Sequence, residues 1–227
     1  MGSEKRDVVI PSQLLGDVKN SRAGRGTFVE DGKIYSEILG VLNKKGNFIN
    51  VVSIKGRYDP VENDFVIGTV LEASASSWMV DINAPYPALL HVNEVPWKVE
   101  FGETEKFLKT GDSLMAKVLQ VDVTKKIQIT LNDRNLFKIK EGHIITVEPS
   151  KVPRIIGKKG SMIALLKKYT RCRIFVGQNG RIWIDGETEE GIAKVLEAIK
   201  KIEGEALSYG LTNRIEELLK KDAKDVR

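Results

Sequence analysis

Nine consecutive residues, from Ile155 to Ile163, carry the pattern of side chains best suited to ligand chemistry in this chain. Two isoleucines precede a Gly-Lys-Lys-Gly turn, Gly157–Gly160, and Ser161 then begins an amphipathic segment. The glycines allow a sharp turn and remove Cβ atoms that would hold a polyanion away from the backbone. The N–H groups and the positive dipole end of the following helix would face the same loop. The spacing therefore predicts a site for the sugar-phosphate backbone of a single strand.

The basic residues of the chain are concentrated around this turn. The window from Lys151 to Ile184 contains no acidic residue and nine basic ones: Lys151, Arg154, Lys158, Lys159, Lys167, Lys168, Arg171, Arg173 and Arg181. Because the whole chain has a net charge of +5, the remaining residues sum to −4. One basic block on an otherwise acidic chain is typical of nucleic-acid contact. The alternative is a solvated face of a helix and two strands, but the position of the glycine-bracketed turn inside the block favours nucleic acid.

Composition limits the class of protein. The 227 residues are 41% hydrophobic, which is ordinary for globular domains, and they are enough for two or three modules. No apolar run approaches the length of a membrane span, and the residues from Met1 to Asp7 are polar, without a secretory core. The single cysteine, Cys172, lies among apolar residues and is expected to be a buried strand thiol. We therefore expect a soluble, cytoplasmic protein.

Residues typical of turns divide the chain into segments, and these segments must position the Gly157–Gly160 turn. Residues 1–58 contain short apolar segments around the hairpin dipeptide Asp31-Gly32, and they predict a small all-β domain. Residues 59–135 contain five short strands, which fits a closed five-stranded barrel of the OB type. Residues 139–203 predict a βααββα domain, and residues 204–227 a C-terminal helix and tail.

The sequence also predicts individual strands and helices within these segments. In the first domain, Ile34–Val41 is expected to be one continuous apolar strand segment. In the third, Thr188 is expected to cap the last helix, with Glu189 and Glu190 at its positive dipole end. A final helix from Asn213 to Lys221 is expected to pack on the third domain or on a partner, through an apolar side formed by Ile215, Leu218 and Leu219.

The order of these domains resembles a known family. The middle segment resembles an S1 RNA-binding domain through Asp64–Val70, Leu89–Val95 and Gly111–Val118, and the third looks like a KH domain of the βααββα type. The first resembles the amino-terminal domain of the S1/KH cap subunit of the exosome through Pro11–Asp17, Gly26–Phe28, Ile34–Ser36 and Gly56–Pro60. The single KH domain and the compact chain look archaeal.

This resemblance implies a non-catalytic role in RNA degradation, without a cofactor or a metal. In that family, three cap subunits sit on a hexameric ring of RNase PH-like phosphorolytic subunits. The amino-terminal domains grip the ring, and the S1 domains surround the pore through which RNA enters. The caps raise the affinity for RNA, with a leaning towards adenine-rich tails.

The KH resemblance assigns roles in the third segment. Gly157, Lys158, Lys159 and Gly160 are expected to clamp the RNA backbone. Ile156 and Ile163 are expected to form the apolar floor under the bases, with Arg173 on the facing strand, and Arg154 is included among the RNA-binding candidates. Core packing is an equal alternative for the isoleucines, and a solvated turn is the alternative for the lysines. The KH groove is open to RNA in one interpretation and mainly structural in the other.

The S1 resemblance adds candidates in the barrel. Trp78 and His91 occupy positions where S1 domains place stacking or polar groups, whereas Leu89 stands where many have a second aromatic ring. A core role for Trp78 is the alternative. Three lysines could line a phosphate track or could simply be solubilising: Lys117, Lys125 and Lys126.

Catalysis and other RNA-binding roles remain as competing hypotheses. The two histidines, His91 and His143, lie in different segments without the spacing of a metal site. A self-contained RNase is therefore disfavoured. An S1/KH transcription-elongation or ribosome-associated factor is the alternative within RNA binding. The elongation factors carry two tandem KH domains, whereas no second GxxG follows Ile202 here.

Overall fold

A computed structural model describes residues 7–54, 56–206, 208 and 210–221. The outermost residues of the first and last predicted segments, 1–6 and 222–227, lie outside the described part. Backbone contacts divide the chain into two compact units, Met1–Gly56 and Arg57–Arg227. Each unit is described by itself below.

Within its described residues, 7–54 and 56, the first unit consists of short strands joined by turns and loops. Its strands are β1 (Val8–Val9), β2 (Leu14–Asp17), β3 (Arg22–Ala23), β4 (Thr27–Glu30), β5 (Lys33–Ser36), β6 (Gly40–Lys45) and β7 (Phe48–Ser53). One sheet has the order β1-β6-β7-β3 and the other the order β2-β5-β4. The expectation of a small all-β domain is confirmed.

Local sequence explains the turn within the smaller sheet. Glu30 pairs with Lys33 across a two-residue turn in which Asp31 and Gly32 both have positive φ, 49° and 72°. This is the hairpin geometry that an Asp-Gly dipeptide favours. The expectation of one segment over Ile34–Val41 is wrong, because β5 and β6 belong to different sheets.

The second unit begins with a closed barrel. Its strands are β8 (Phe65–Ala73), β9 (Ser77–Asp81), β10 (Ala88–His91), β11 (Ser113–Val121) and β12 (Ile127–Thr130). Successive antiparallel pairs join β8 to β9 and β9 to β10, a parallel pair joins β10 to β12, and β11 closes the barrel between β12 and β8. This is the five-stranded OB arrangement predicted from the sequence. A further short strand, β13 (Lys138–Ile139), pairs with β11 at Ser113 and Leu114.

Gly68 shows why the first barrel strand contains a glycine. A Cβ at this position would lie 2.4 Å from Cγ1 of Val80, on the neighbouring strand β9. The absence of a side chain therefore lets β8 and β9 approach closely on the inside of the small barrel.

The remainder of the second unit is the predicted βααββα domain followed by a helix. Its elements are β14 (His143–Thr146), α1 (Val152–Ile156), α2 (Ser161–Thr170), β15 (Arg173–Val176), β16 (Arg181–Asp185), α3 (Glu189–Gly204) and α4 (Leu211–Lys221). The three strands form an antiparallel sheet in the order β14-β16-β15. Thr188 caps α3, since its hydroxyl accepts a hydrogen bond from the Gly191 N–H at 3.2 Å.

Two apolar clusters hold the second unit together. The helices and the sheet of the KH fold share one core, which includes Cys172 and reaches Ile215 and Leu219 of α4. The last helix therefore packs on the third domain, one of the two expected outcomes. The other cluster fills the barrel and includes Trp183 of β16, with Phe175 of β15 packed against it. The KH sheet thus lies between its own helices and the barrel.

Candidate nucleic-acid interface

The Gly157–Gly160 turn connects α1 to α2 in a backbone conformation that depends on glycine. Gly157 has φ 77° and ψ 172°, a region that other residues avoid. A Cβ there would lie 2.6 Å from the Met162 backbone nitrogen. Gly160 has φ 78° and ψ 13°, and a Cβ there would meet nothing closer than 3.8 Å. The first glycine is therefore needed both for conformation and for space, and the second for conformation alone.

The two lysines between these glycines are exposed to solvent. Lys159 has a left-handed backbone, with φ 54° and ψ 32°, and a hydrogen bond of 3.1 Å from the Gly160 N–H to the Gly157 carbonyl closes the turn. Within the part of the chain that the structure describes, no carboxylate forms an ion pair with Lys158 or Lys159. Both ammonium groups are therefore available to an anionic ligand.

The start of α2 adds a second attraction for anions. The N-cap residue is Gly160, which offers no side chain to accept the first N–H groups of this ten-residue helix. The Ser161 N–H donates to the Lys158 carbonyl, so the attraction for phosphate at this position comes from the positive dipole end of the helix. The turn and the helix together can hold a phosphate backbone through charge, without a catalytic group.

The apolar residues flanking the turn are partly exposed. Ile156 and Ile163 are both half-buried and pack against the KH core cluster. Each therefore has part of its surface in the core and part available to a ligand. This arrangement is compatible both with core packing and with contact to a base, the two roles considered for these isoleucines.

The two arginines of the predicted site are engaged within the protein to different degrees. Arg173 is ion-paired with Asp185 and lies over the Trp183 ring, 5.6 Å from the ring centroid, yet its side chain is 76% exposed. Arg154 is half-buried and donates from Nη2 to the Ser208 carbonyl at 3.2 Å. Arg173 is therefore exposed, but it shares the barrel-facing side of the sheet with Trp183, opposite to the helices that flank the turn. Part of the Arg154 guanidinium is committed to the segment before α4.

One further lysine was missing from the predicted site. Lys167 lies four residues after Ile163 on α2 and is exposed. Residues at this spacing share one face of a helix. The spacing was readable from the sequence, where Lys167 was counted only as part of the basic block.

The barrel corrects the stacking role expected of Trp78. Its side chain is completely buried in the barrel core, and its indole N–H donates to the Leu108 carbonyl at 3.0 Å. A base could reach this ring only if the barrel opened. The structure shows the core role, and the Leu108 carbonyl is the hydrogen-bond partner that a buried indole N–H usually finds.

His91 lies on the barrel surface at the end of β10. Its Nδ1 accepts a hydrogen bond from the Asn93 N–H at 3.2 Å, which caps a short 3-10 helix. Nε2 is then left to donate to a ligand. The neighbouring Leu89 is half-buried opposite Met79 on β9. This part of the barrel therefore offers an imidazole and aliphatic side chains.

The three candidate lysines of the barrel differ in availability. Lys117 donates to the Asp133 carboxylate at 2.9 Å and lies 5.9 Å from the Phe65 ring centroid. The hydrogen bond from Lys117 is the main cause that lowers the pKa of the Asp133 carboxyl below its usual value. Lys125 and Lys126 are exposed in the turn between β11 and β12. The turn lysines are therefore better placed for phosphate than Lys117.

An exposed aromatic ring near His91 was missed by the sequence reasoning. Phe101 is 85% exposed, in a loop attached to the β8–β9 turn by a hydrogen bond of 2.9 Å from the Gly102 N–H to the Ala75 carbonyl. His91 pairs with Ser77 at the other end of that turn. A ring in such a loop has no periodic signal, so only the fold brings Phe101 and His91 to the same end of the barrel.

The described residues contain no group of three or more His, Cys, Asp or Glu side chains that could hold a metal ion. Among the same residues, no helix combines the length and the apolar character needed to span a bilayer.

The β domain, the OB barrel and the KH fold with its glycine-bracketed lysines define a modular RNA-binding protein of the S1/KH class. The KH domain family matches residues 142–190, and the family described as the exosome RNA binding protein RRP4 N-terminal domain matches residues 6–55.

Comparison with complete proteins specifies the family. The exosome complex component Rrp4 of Methanosarcina mazei is 49% identical over 218 residues, which cover 96% of this chain and 83% of the relative. Its counterpart in Picrophilus torridus is 43% identical, with coverage of 96% and 94%. A crystal structure of a protein proposed to be an exosome complex RNA-binding protein is 36% identical, with a TM-score of 0.68, and covers 76% of this chain and 100% of that one. The chain belongs to the Rrp4 family of RNA-binding exosome components.

Proposed function

We propose that this protein is a non-catalytic cap subunit that binds single-stranded RNA and delivers it to a separate phosphorolytic ring. The ring would be the hexamer of RNase PH-like subunits implied by the family resemblance, with three cap subunits on one face. RNA held by the cap would be degraded from its 3′ end by the ring, in the cytoplasm. The cap itself would break no bond.

One observation carries the proposal. Lys158 and Lys159 are exposed, lack a carboxylate partner among the described residues, and lie between two positive-φ glycines before the uncapped start of α2. A loop of this construction binds the phosphates of about four nucleotides in KH domains. Phosphate contacts of this kind give affinity that depends little on base sequence.

The barrel would supply further contacts in two places. His91 and Phe101 are exposed at one end of the barrel and could contact bases. Lys125 and Lys126 are exposed before β12, beside the opposite end of β10, and could contact phosphates there. Stacking of a base on an aromatic ring contributes about 1–3 kcal/mol. We assign the barrel segment 59–135 and the KH segment 139–203 as the RNA-binding domains.

The amino-terminal segment 1–58 would contact the ring. Val8 pairs with Val41 in the larger sheet, and Val41 pairs with Val52. Directly paired residues lie on one face of a sheet, so the three valines form a row, and Val8 and Val52 are 57% and 47% exposed. Exposed apolar rows on a small soluble domain favour docking to another protein.

A degradation assay tests the proposal. A labelled adenine-rich RNA is incubated with the purified chain, phosphate and magnesium, with and without ring subunits of the RNase PH type. We expect no shortening by the chain alone and faster shortening when it is added to the ring. A uracil-rich RNA of the same length measures the adenine preference.

Each other outcome supports a different function. Shortening without the ring would identify a self-contained RNase. RNA binding that never accelerates or joins the ring would favour the transcription-elongation or ribosome-associated alternative. Native mass measurements of the chain alone and mixed with ring subunits would show directly whether a complex forms.

A further inference from the structure

The loop between β9 and β10 presents an exposed aromatic ring that the function proposed above does not use. Tyr86 is 57% exposed and lies between Pro85 and Pro87, which are also exposed. Within the described part of the chain, its hydroxyl forms no hydrogen bond and its ring packs against no other ring. The ring is therefore available to a ligand.

The fold holds this loop in place at both of its ends. At the start of the loop, the Asn83 N–H donates to the Asp81 carboxylate at 3.0 Å. At its end, Ala88 is completely buried and pairs with Ile127. The two prolines fix φ on either side of Tyr86 and limit the freedom of the backbone between them. The ring is thus presented by a stiff segment, which reduces the entropy lost when a ligand binds to it.

Two lysines lie at the same end of the barrel as this ring. The strands β10 and β12 are parallel, with Ala88 opposite Ile127. Tyr86 comes two residues before Ala88. Lys125 comes two residues before Ile127, so the two segments enter neighbouring strands side by side. Lys125 and Lys126 are exposed, and no carboxylate among the described residues forms an ion pair with either.

The carboxylate closest to these lysines in sequence is used by the turn itself. Asp122 accepts hydrogen bonds from the Val123 N–H at 2.6 Å and from the Thr124 hydroxyl at 2.8 Å. The Lys125 N–H donates to the Asp122 carbonyl at 2.8 Å, and Lys125 has a positive φ of 63°. The turn therefore has a defined backbone and leaves its two ammonium groups to an anionic ligand.

Other exposed rings of the barrel are less suited to stacking on RNA. Phe65 and Phe137 already meet rings of the KH sheet edge to face. Phe101 directly follows Glu100, whose carboxylate repels the phosphates of a strand. Tyr86 lies beside lysines instead, and these attract the same phosphates.

We propose that Tyr86 stacks on a nucleobase of single-stranded RNA while Lys125 and Lys126 bind the adjoining phosphates. This inference rests on the proposed RNA-binding function. It assigns to the barrel a base contact that the buried Trp78 does not make. An aromatic face beside basic side chains is the usual arrangement for binding single strands, and it accepts every base because each base has a π face.

The first test measures the affinity of the full chain for an adenine oligonucleotide of about 20 residues. Tyr86→Ala should lower the affinity about 5- to 150-fold, the range found when a stacking ring is replaced by alanine. Tyr86→Phe retains the ring and should stay within about twofold of the unaltered chain. The matched control is Phe48→Ala, which removes a ring of 47% exposure from β7 in the first unit and should leave the affinity unchanged.

Salt dependence separates stacking from charge. The slope of log affinity against log salt should not change in Tyr86→Ala, because the ring neutralises no phosphate. Lys125→Gln with Lys126→Gln should make the slope shallower by about 1.4, if each lysine contacts one phosphate. The melting temperature of each variant should stay within about 2 °C of the unaltered chain, since all the replaced side chains are exposed.

A photochemical readout reports on stacking itself. A single 5-iodouridine is placed at each position of the adenine strand in turn, because this base cross-links to aromatic side chains that stack on it. Mass spectrometry then identifies the linked residue. We expect a link to Tyr86 in the unaltered chain, and the loss of that link in Tyr86→Ala.

The outcomes distinguish the two proposals. Weaker binding of RNA by Tyr86→Ala at a constant slope, together with a cross-link to Tyr86, supports the stacking contact. Unchanged affinity, a shallower slope or the lack of a cross-link to Tyr86 refutes it, and weaker association of this variant with ring subunits at unchanged RNA affinity would place the ring in a protein interface instead. Absence of RNA binding by the unaltered chain refutes the proposed function as a whole.

Discussion

Charge reversal of the loop lysines gives the most quantitative prediction. The double variant Lys158→Glu with Lys159→Glu removes two unpaired cations from an exposed turn. If each lysine contacts one phosphate, two contacts are lost. Because each contact with single-stranded RNA contributes about 0.7 to the slope of log affinity against log salt, the slope should become shallower by about 1.4. At 0.1 M salt this corresponds to about a 25-fold loss of affinity, or about 1.9 kcal/mol.

The same substitutions should leave the fold intact. Neither lysine is buried, and carboxylates near the start of α2 interact favourably with the helix dipole. The melting temperature should therefore stay the same or rise slightly, which separates loss of binding from loss of structure.

Fluorescence anisotropy with a labelled adenine-rich RNA, repeated from about 0.05 to 0.5 M salt, measures both the affinity and the slope. The matched control is Lys19→Glu with Lys200→Glu, which makes the same change in net charge at two exposed lysines outside the proposed contacts. An unchanged slope in the loop variant, or an equal loss in the control, would show that the loop does not hold phosphate.

Three further predictions concern stability. Trp78→Ala should lower the free energy of unfolding by about 3–5 kcal/mol, measured by urea denaturation, because the indole is buried core; an intact fold with weaker RNA binding would contradict this. Gly157→Ala should lower the melting temperature more than Gly160→Ala, since only the first adds a steric clash to an unfavourable φ; calorimetry giving equal shifts would count against the geometry. Burial raises the pKa of the Asp112 carboxyl, but the hydrogen bond from Lys138 at 2.5 Å, a backbone N–H and nearby charge outweigh it and leave the pKa below 3.8. The stability that the ionised Asp112 contributes is present above its unfolded-state pKa and is lost as the pH falls through its folded-state pKa. Denaturation between about pH 6 and 2.5 should therefore show the free energies of unfolding of Asp112→Asn and the unaltered chain converging in acid. A difference that does not change with pH would exclude this linkage.

The sequence predicted the parts of the fold that depend on local pattern. The Asp31-Gly32 hairpin, the Thr188 cap and the βααββα order are written in neighbouring residues. The basic turn was found for the same reason, because glycine spacing and charge are local. Such features need no knowledge of distant contacts.

Other features could not be predicted, because they depend on residues far apart in the chain. The Trp78 pattern suits either a stacking ring or a core ring, and only the Leu108 carbonyl and the closed barrel decide between them. Phe101 lies in an irregular loop, and Lys117 is paired with Asp133 by a fold contact. Asn179 lies in a turn but is buried, because its side-chain amide donates to the Ile67 carbonyl of the barrel, more than a hundred residues away.

The proposed function depends on RNA binding by the Gly157–Gly160 turn. The most direct test is photo-cross-linking of the full chain to an adenine-rich RNA containing single 4-thiouridines, followed by mass spectrometry of the linked peptides. We predict cross-links within residues 155–163 and near His91, and loss of the former in the Lys158→Glu, Lys159→Glu variant. Cross-links elsewhere, with none in residues 155–163, would show that this turn does not bind RNA.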